Sequence, residues 1–139
     1  MEHVEIAMAL ICQDSELILQ ERLNDRRVQV AGKIGMFGGK REIGETPRKA
    51  VAREIREETT LIPDSDEFTL VGEIDVFFGE EADKMHVTGT VHRLEVPSGV
   101  IIEAQEGKIV RVAHDEAYKL LDRMTPATLQ AFNKYIIGV

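Results

Sequence analysis

The stretch GGKREIGETPRKAVAREIREETTL, residues 38–61, starts with a glycine pair and ends with three carboxylates, Glu54, Glu57 and Glu58, within five positions. Between them, Thr46 and Pro47 predict a helix start: a hydroxyl at the N-cap, then proline at the first helical position, where its missing N–H costs nothing. The helix should run to about Thr59. Residues three and four apart share a helix face, so Glu57 and Glu58 flank the line projected by Glu54, and the three acids are expected to converge on one patch. Each like-charged pair costs about 0.2–0.5 kcal/mol on an exposed helix, a penalty that a divalent cation removes. Oxygen-only donors on a rigid element suit Mg²⁺ or Mn²⁺. Val51, Ala52 and Ile55 make the opposite, apolar stripe that docks such a helix on a sheet. The plainer reading is a solvated helix in which Lys49, Arg53 and Arg56 balance the acids, with Arg53 pairing to Glu57 one turn on.

Outward from this stretch the chain alternates strands and helices irregularly. Val4 to Cys12 and Leu17 to Arg22 read as a hairpin of two apolar strands, and Ile34 to Phe37 as a short strand entering the glycine pair. Asn24 to Lys33 is polar and basic. Phe68 to Phe78, Met85 to Val96 and Ile109 to Val112 read as strands. Asp115 to Leu121 and Pro126 to Ile136 read as helices, the second capped by Thr125 with Leu129, Phe132 and Ile136 on one face. Strands outnumbering helices in this order predict an α+β layered sandwich with a mixed sheet.

With 139 residues, 43% of them hydrophobic and 30% charged, the chain is one domain's worth of ordinary globular sequence. No apolar run reaches membrane-spanning length and Met1 to Glu5 lacks the basic start of a signal peptide, so a cytoplasmic location is expected, with no membrane partner. The lone Cys12 cannot form an internal disulfide and reads as a small buried hydrophobe. A formal charge of −8 argues against nucleic acid and repels free polyphosphate. A phosphate anhydride substrate would therefore need a divalent cation between it and the protein.

Gly39, five residues, Glu45, seven residues, then Arg53, Glu54, Ile55, Arg56, Glu57, Glu58, with Leu61 at a final apolar position, resembles the Nudix box of the MutT-like hydrolases. Six such fixed matches arise by chance in roughly one chain of this length in 100,000. One position departs: Thr60 stands where the family has glycine just past the helix end. A β-branched residue in the left-handed cap that glycine serves would cost about 1–2 kcal/mol. A different helix exit is expected, set by Pro63, with more effect on local stability than on chemistry. The resemblance is firm over residues 38–61 and implies a Nudix-like α/β/α sandwich with a mixed β-sheet, one domain over residues 1–139.

It further implies divalent-metal-dependent hydrolysis of a pyrophosphate bond, by water attack at phosphorus, in a nucleoside triphosphate or a nucleoside diphosphate linked to another moiety. Glu54, Glu57, Glu58 and the carbonyl of Gly38 would hold Mg²⁺ or Mn²⁺, and the side-chain-free Gly38 and Gly39 would bring backbone close to metal and phosphate. Arg53, bonded to Glu45, would orient the catalytic carboxylates. The general base is either Glu58 or a loop glutamate, Glu103 or Glu106. Arg22 and Arg26 or Arg27 are candidates to meet phosphate. Phe37, which replaces the proline of many relatives, would shape the pocket floor, and Phe37, Phe77 and Phe78 are candidates to stack on a base, with core packing the better default for any one of them. His86 and His92 need no role. ADP-ribose, a dinucleoside polyphosphate, a nucleotide sugar and an oxidised dNTP all fit the box, and a homodimer fits what is common in similar proteins. The rival readings are a nucleotide-binding module without turnover, which would more often lack one of the three glutamates, and an acidic metal-binding domain unrelated to nucleotides.

Overall fold

A computed structural model describes residues 1–22 and 32–138. Strand β1 (Glu2–Gln13) is the spine of a seven-stranded mixed sheet. Its residues alternate between two buried faces, Ala7, Ala9 and Ile11 on one side and Met8, Leu10 and Cys12 on the other, which is why the sequence there is continuously apolar. Asp14 and Ser15, both at positive φ, turn the chain tightly into β2 (Glu16–Glu21). Along its other edge β1 pairs in parallel with β6 (Met85–Glu95), which in turn pairs antiparallel with β5 (Thr69–Phe78), the edge strand.

The strand expected at 34–37 is two. Ile34–Gly35 (β3) pairs with β2, whereas Phe37–Lys40 (β4) crosses to pair with β1. Strand β7 (Lys108–Ala113) completes the sheet beside β2. Short 3₁₀ turns at Ser65–Glu67 and Glu81–Asp83, which have no strong sequence signal, lead into β5 and β6.

Helix α1 (Pro47–Glu58) covers one face of the sheet through Val51, Ala52 and Ile55, and the Thr46 hydroxyl accepts from the Lys49 N–H as a cap should. The other face is covered by the C-terminal segment. The helix expected at 115–121 is instead a 3₁₀ helix over His114–Arg123, whose Ala117 and Leu120, three apart, share one side as 3₁₀ geometry requires. Helix α2 (Pro126–Ala131) gives way at Phe132–Ile136 to a π turn, closed by the Ile137 N–H on the Phe132 carbonyl. Thr125 stands at the N-cap of α2, but its hydroxyl makes no capping bond, and its N–H goes to Ile34. The Cys12 thiol is buried, and burial raises its pKa. Among the described residues no helix is long and apolar enough to cross a membrane.

Candidate functional site

The site is built where α1 passes over β4. Glu45, at the entry to the helix, takes both ends of the Arg53 guanidinium: Nε donates to Oε2 at 2.7 Å and Nη2 to Oε1 at 3.0 Å. The same guanidinium donates to the Lys40 carbonyl at 2.9 Å and to Glu54 at 3.0 Å, and lies 3.4 Å from Glu57. This fork geometry is one that arginine alone among side chains supplies. The Arg53 hydrogen bonds, with the Glu42 N–H behind them, hold the Glu45 carboxyl at about 2, well below the usual range. Bonding to Glu45 in turn raises the Arg53 pKa.

The three glutamates occupy different surroundings. Glu57 is exposed. Glu54 is partly buried, and its carboxylate fills the space that a side chain on Gly39 would take: a Cβ there would come within 2.6 Å of it. Glu58 is buried and accepts a 2.8 Å bond from the Gly38 N–H. Burial raises the pKa of Glu54, and it pushes Glu58 up to about 8 against the pull of the Gly38 bond. The charge of Glu106 adds to both shifts.

The expected convergence is thus only partial. Glu54 and Glu57 are turned to Arg53 and Glu58 to the Gly38 amide, and among the described residues no three His, Cys, Asp or Glu side chains come close enough together to hold a metal ion. The donor chemistry still fits a hard divalent cation. Glu54 and Glu58 are oxygen donors whose negative charge is disfavoured by burial, and a cation beside them would remove that cost. Of Gly38, the structure gives a partner to the N–H, which is occupied by Glu58.

On the far side of the glycine pair a cleft of about 210 Å³ opens, walled by apolar side chains including Met8, Phe78 and Val87, with Arg22 and Thr125 among its polar lining. Gly38 and Gly39 are shared between this cleft and the carboxylates. Phe37 takes no part in it. It is fully buried among Ile11, Ile18, Val51 and Ile55, because the alternation of β4 turns it to the α1 face while its glycine neighbour meets the cleft. Phe77 stacks on His86 at 4.1 Å, outside the cleft lining. Arg26 and Arg27 lie outside the described residues.

A family model described as NUDIX domain matches residues 1–135. The chain belongs to the Nudix family. Over 64 residues, 45% of this Nudix chain and 48% of the relative, it is 38% identical to the 8-oxo-dGTP diphosphatase of Escherichia coli (strain K12), so it matches about half the length of that curated relative. Among solved structures, the E. coli dihydroneopterin triphosphate pyrophosphohydrolase aligns over 100% of both chains with a TM-score of 0.73 at 16% identity. The bifunctional NMN adenylyltransferase/ADP ribose pyrophosphatase of Francisella tularensis, complexed with AMP and a Mn ion, covers 94% of this chain and 40% of its own with a TM-score of 0.71 at 15% identity. At these identities the two structures show a shared fold.

This Nudix chain leaves its box helix without a left-handed residue. Thr59 is the C-cap in an extended conformation, its N–H and hydroxyl both on the Ile55 carbonyl. It then bridges antiparallel to Ala104. The exit is therefore set by the segment before β7, which supplies a backbone partner in place of the helix-end turn, and Pro63 has the lesser part of accepting a bond from Arg56. Sequence reasoning missed this segment's contacts and those of Arg53 with the Lys40 carbonyl, since backbone partners distant in the chain leave no residue signature.

Proposed function

We propose that the chain is a Nudix pyrophosphohydrolase that uses Mg²⁺ or Mn²⁺ to hydrolyse a nucleoside triphosphate or a nucleoside diphosphate linked to another group. One observation carries this: the glycine pair is the common wall between a desolvated carboxylate group and an apolar cleft with Arg22 at its edge. The family membership and the 8-oxo-dGTP diphosphatase relative support pyrophosphate chemistry.

In this reading Glu54, Glu57 and Glu58 would hold the cation. When bound, it would neutralise the diphosphate and activate water. The protein's own contribution is positional. Arg53, clamped by Glu45, keeps the Glu54 carboxylate in register with the glycine loop. Glu58 and the loop glutamates Glu103 and Glu106 are the candidates to take a proton from attacking water, and Glu58, pushed up to about 8 by burial, can do so only once it has lost its own proton, which a cation beside it favours. The apolar cleft walls bind the group attached to the phosphates and exclude water from it, while Arg22 meets phosphate charge.

The test is product release from a panel of nucleoside triphosphates, oxidised dNTPs, ADP-ribose, dinucleoside polyphosphates and nucleotide sugars with Mg²⁺, wild type beside Glu57→Gln. Turnover of one panel member, reduced by about a hundredfold or more in the variant, is the expected result. Folded wild-type protein that turns over none of them would overturn the hydrolase assignment in favour of nucleotide binding alone.

A further inference from the structure

Residue 60 is where this chain departs from the Nudix box, and the departure has bonds of its own. Thr60 Oγ1 accepts from the Glu103 N–H at 3.0 Å and faces the Ile101 carbonyl at 3.5 Å, while the Thr60 N–H donates to the Glu103 carbonyl at 3.0 Å. Next to this pair of reciprocal bonds, Thr59 bridges to Ala104 and the Gln105 N–H donates to the Glu58 carbonyl at 2.7 Å. The segment then receives a third tie from the sheet, where Gln20, a buried residue of β2, donates from Nε2 to the Glu106 carbonyl at 2.9 Å. A glycine at position 60 could keep the backbone bond alone. It would leave the Glu103 N–H without the acceptor it has here.

We propose that Thr60 and Gln20 are positioning residues that hold the 103–106 segment against the end of α1, so that Glu106, next in the chain to the residue bonded to the Glu58 carbonyl, stays beside the carboxylate site. This rests on the hydrolase reading above and specifies how one part of that site is kept in place. The segment has no named helix or strand of its own between Val96 and Lys108, so the Thr60 and Gln20 side chains add to a few backbone bonds in holding it against the helix end. Tying it at both ends fixes the backbone on either side of Gln105, whose N–H is bonded to the Glu58 carbonyl. The exposed Glu106 side chain stays in the neighbourhood of the helix end only while that backbone is held. The threonine that forgoes the family's glycine at the helix end thereby replaces a local cap by a tether to the site.

The experiment measures kcat and KM for the best substrate of the panel, with Mg²⁺, in wild type, Thr60→Val, Thr60→Ser, Glu106→Gln and the Thr60→Val/Glu106→Gln double variant. Valine keeps the shape and the backbone bond and removes only the hydroxyl. The expected result is a kcat about tenfold lower in Thr60→Val with KM unchanged, recovery to within about twofold in Thr60→Ser, and a double variant no slower than Glu106→Gln alone. Faster amide exchange at Glu103 in Thr60→Val reads the tether without reference to turnover. Gln20→Leu is the second route to the same loss should the valine variant fold poorly, and it should be equally silent on a Glu106→Gln background. Additive losses, failure of serine to restore kcat, or wild-type kcat in Glu106→Gln would each overturn the inference while leaving the hydrolase assignment intact. A wild type that turns over nothing would remove the hydrolase assignment and this inference with it, whatever the exchange at Glu103.

Discussion

Helix α1 and the helical segment from His114 to Ile136 cover opposite faces of the same sheet and are built in opposite ways. Helix α1 is a single regular α-helix over Pro47–Glu58, with a hydroxyl cap, a proline at its start and one apolar stripe. The C-terminal segment passes through 3₁₀, α and π geometry within 23 residues, from His114 to Ile136. The difference lies in what each has to touch. Helix α1 docks by apolar contact, which is non-directional, and leaves its charged face for the site. The C-terminal segment must deliver hydrogen bonds to the open edge of β5. Gln130 accepts from the Asp75 N–H at 2.7 Å and donates to the Asp75 carbonyl at 2.8 Å. Tyr135 does the same for Glu73 at 2.9 and 2.6 Å. Positions 130 and 135 fall on different sides of a regular α-helix at 3.6 residues per turn, and the wider π turn between them swings both toward the strand. Gly72 completes the fit, since a Cβ there would lie 2.3 Å from the Tyr135 ring. The edge that would otherwise offer free amides and carbonyls to another chain is occupied at Glu73 and Asp75 by side chains.

If α1 carries chemistry and the C-terminal segment carries integrity of the sheet, substitutions should divide accordingly. The largest effect is expected from Arg53→Ala, which frees Glu45, Glu54 and Glu57 together: turnover should fall about a hundredfold, and Arg53→Lys should not restore it because a point charge cannot grip Glu45 at two oxygens. Steady-state rates on the panel substrate check this, and wild-type turnover in a folded Arg53→Ala variant would break the division. Gly39→Ala should lower turnover about tenfold by displacing the Glu54 carboxylate. Its urea midpoint should stay near wild type, since the obstruction is the end of a side chain.

On the other face the signs reverse. Tyr135→Phe should cost about 0.5–1.5 kcal/mol in urea unfolding at unchanged m and leave kcat alone, because it removes one hydroxyl that serves two backbone groups of Glu73. A change in kcat with unchanged stability would mean that the two faces are coupled after all. The smallest effect concerns His92, buried beside Phe68 and Thr90, its Nδ1 without a hydrogen-bond partner among the described residues and with Arg48 as the charge that acts on it. Burial lowers its pKa, so the unfolded chain binds the proton first. Stability from this group is complete above about pH 6.5 and is lost as pH falls below it. His92→Leu should flatten the stability profile on the acid side of pH 6.5 relative to wild type, and an unchanged slope would exclude His92 as its source.

The same contrast explains what could be read from the residues alone. Cap, proline, apolar stripe and the Arg53–Glu45 pair of α1 are separated by at most eight positions, so periodicity and charge spacing state them directly. The parts that escaped are set by distant partners. Thr60 and Glu103 are 43 positions apart, and Gln20 and Glu106 are 86 apart. Phe37 takes its default place in the core, and not the pocket floor, for a simpler cause. In a strand, the neighbour of a site residue points away from the site, and the alternation through β4 places Phe37 in the core for the same reason that it places Gly38 at the cleft. The 3₁₀ and π segments keep apolar spacings that an α-helix would also tolerate, and for the π turn it is the β5 edge that selects.

The parallel pairing of β1 with β6, from Glu2 opposite Met85 to Cys12 opposite Glu95, sets a schedule for the nascent chain. The spine of the sheet leaves the ribosome early and its longest partner late, so the β1–β2 hairpin must wait with apolar residues on both faces while most of α1, the box loop and β5 are still being made. Folding of this chain should therefore be governed by one late, long-range closure, and slow relative to a helical domain of equal length. Translation pauses that fall between the emergence of β1 and the emergence of β6 would prolong the interval in which β1 is open to mispairing.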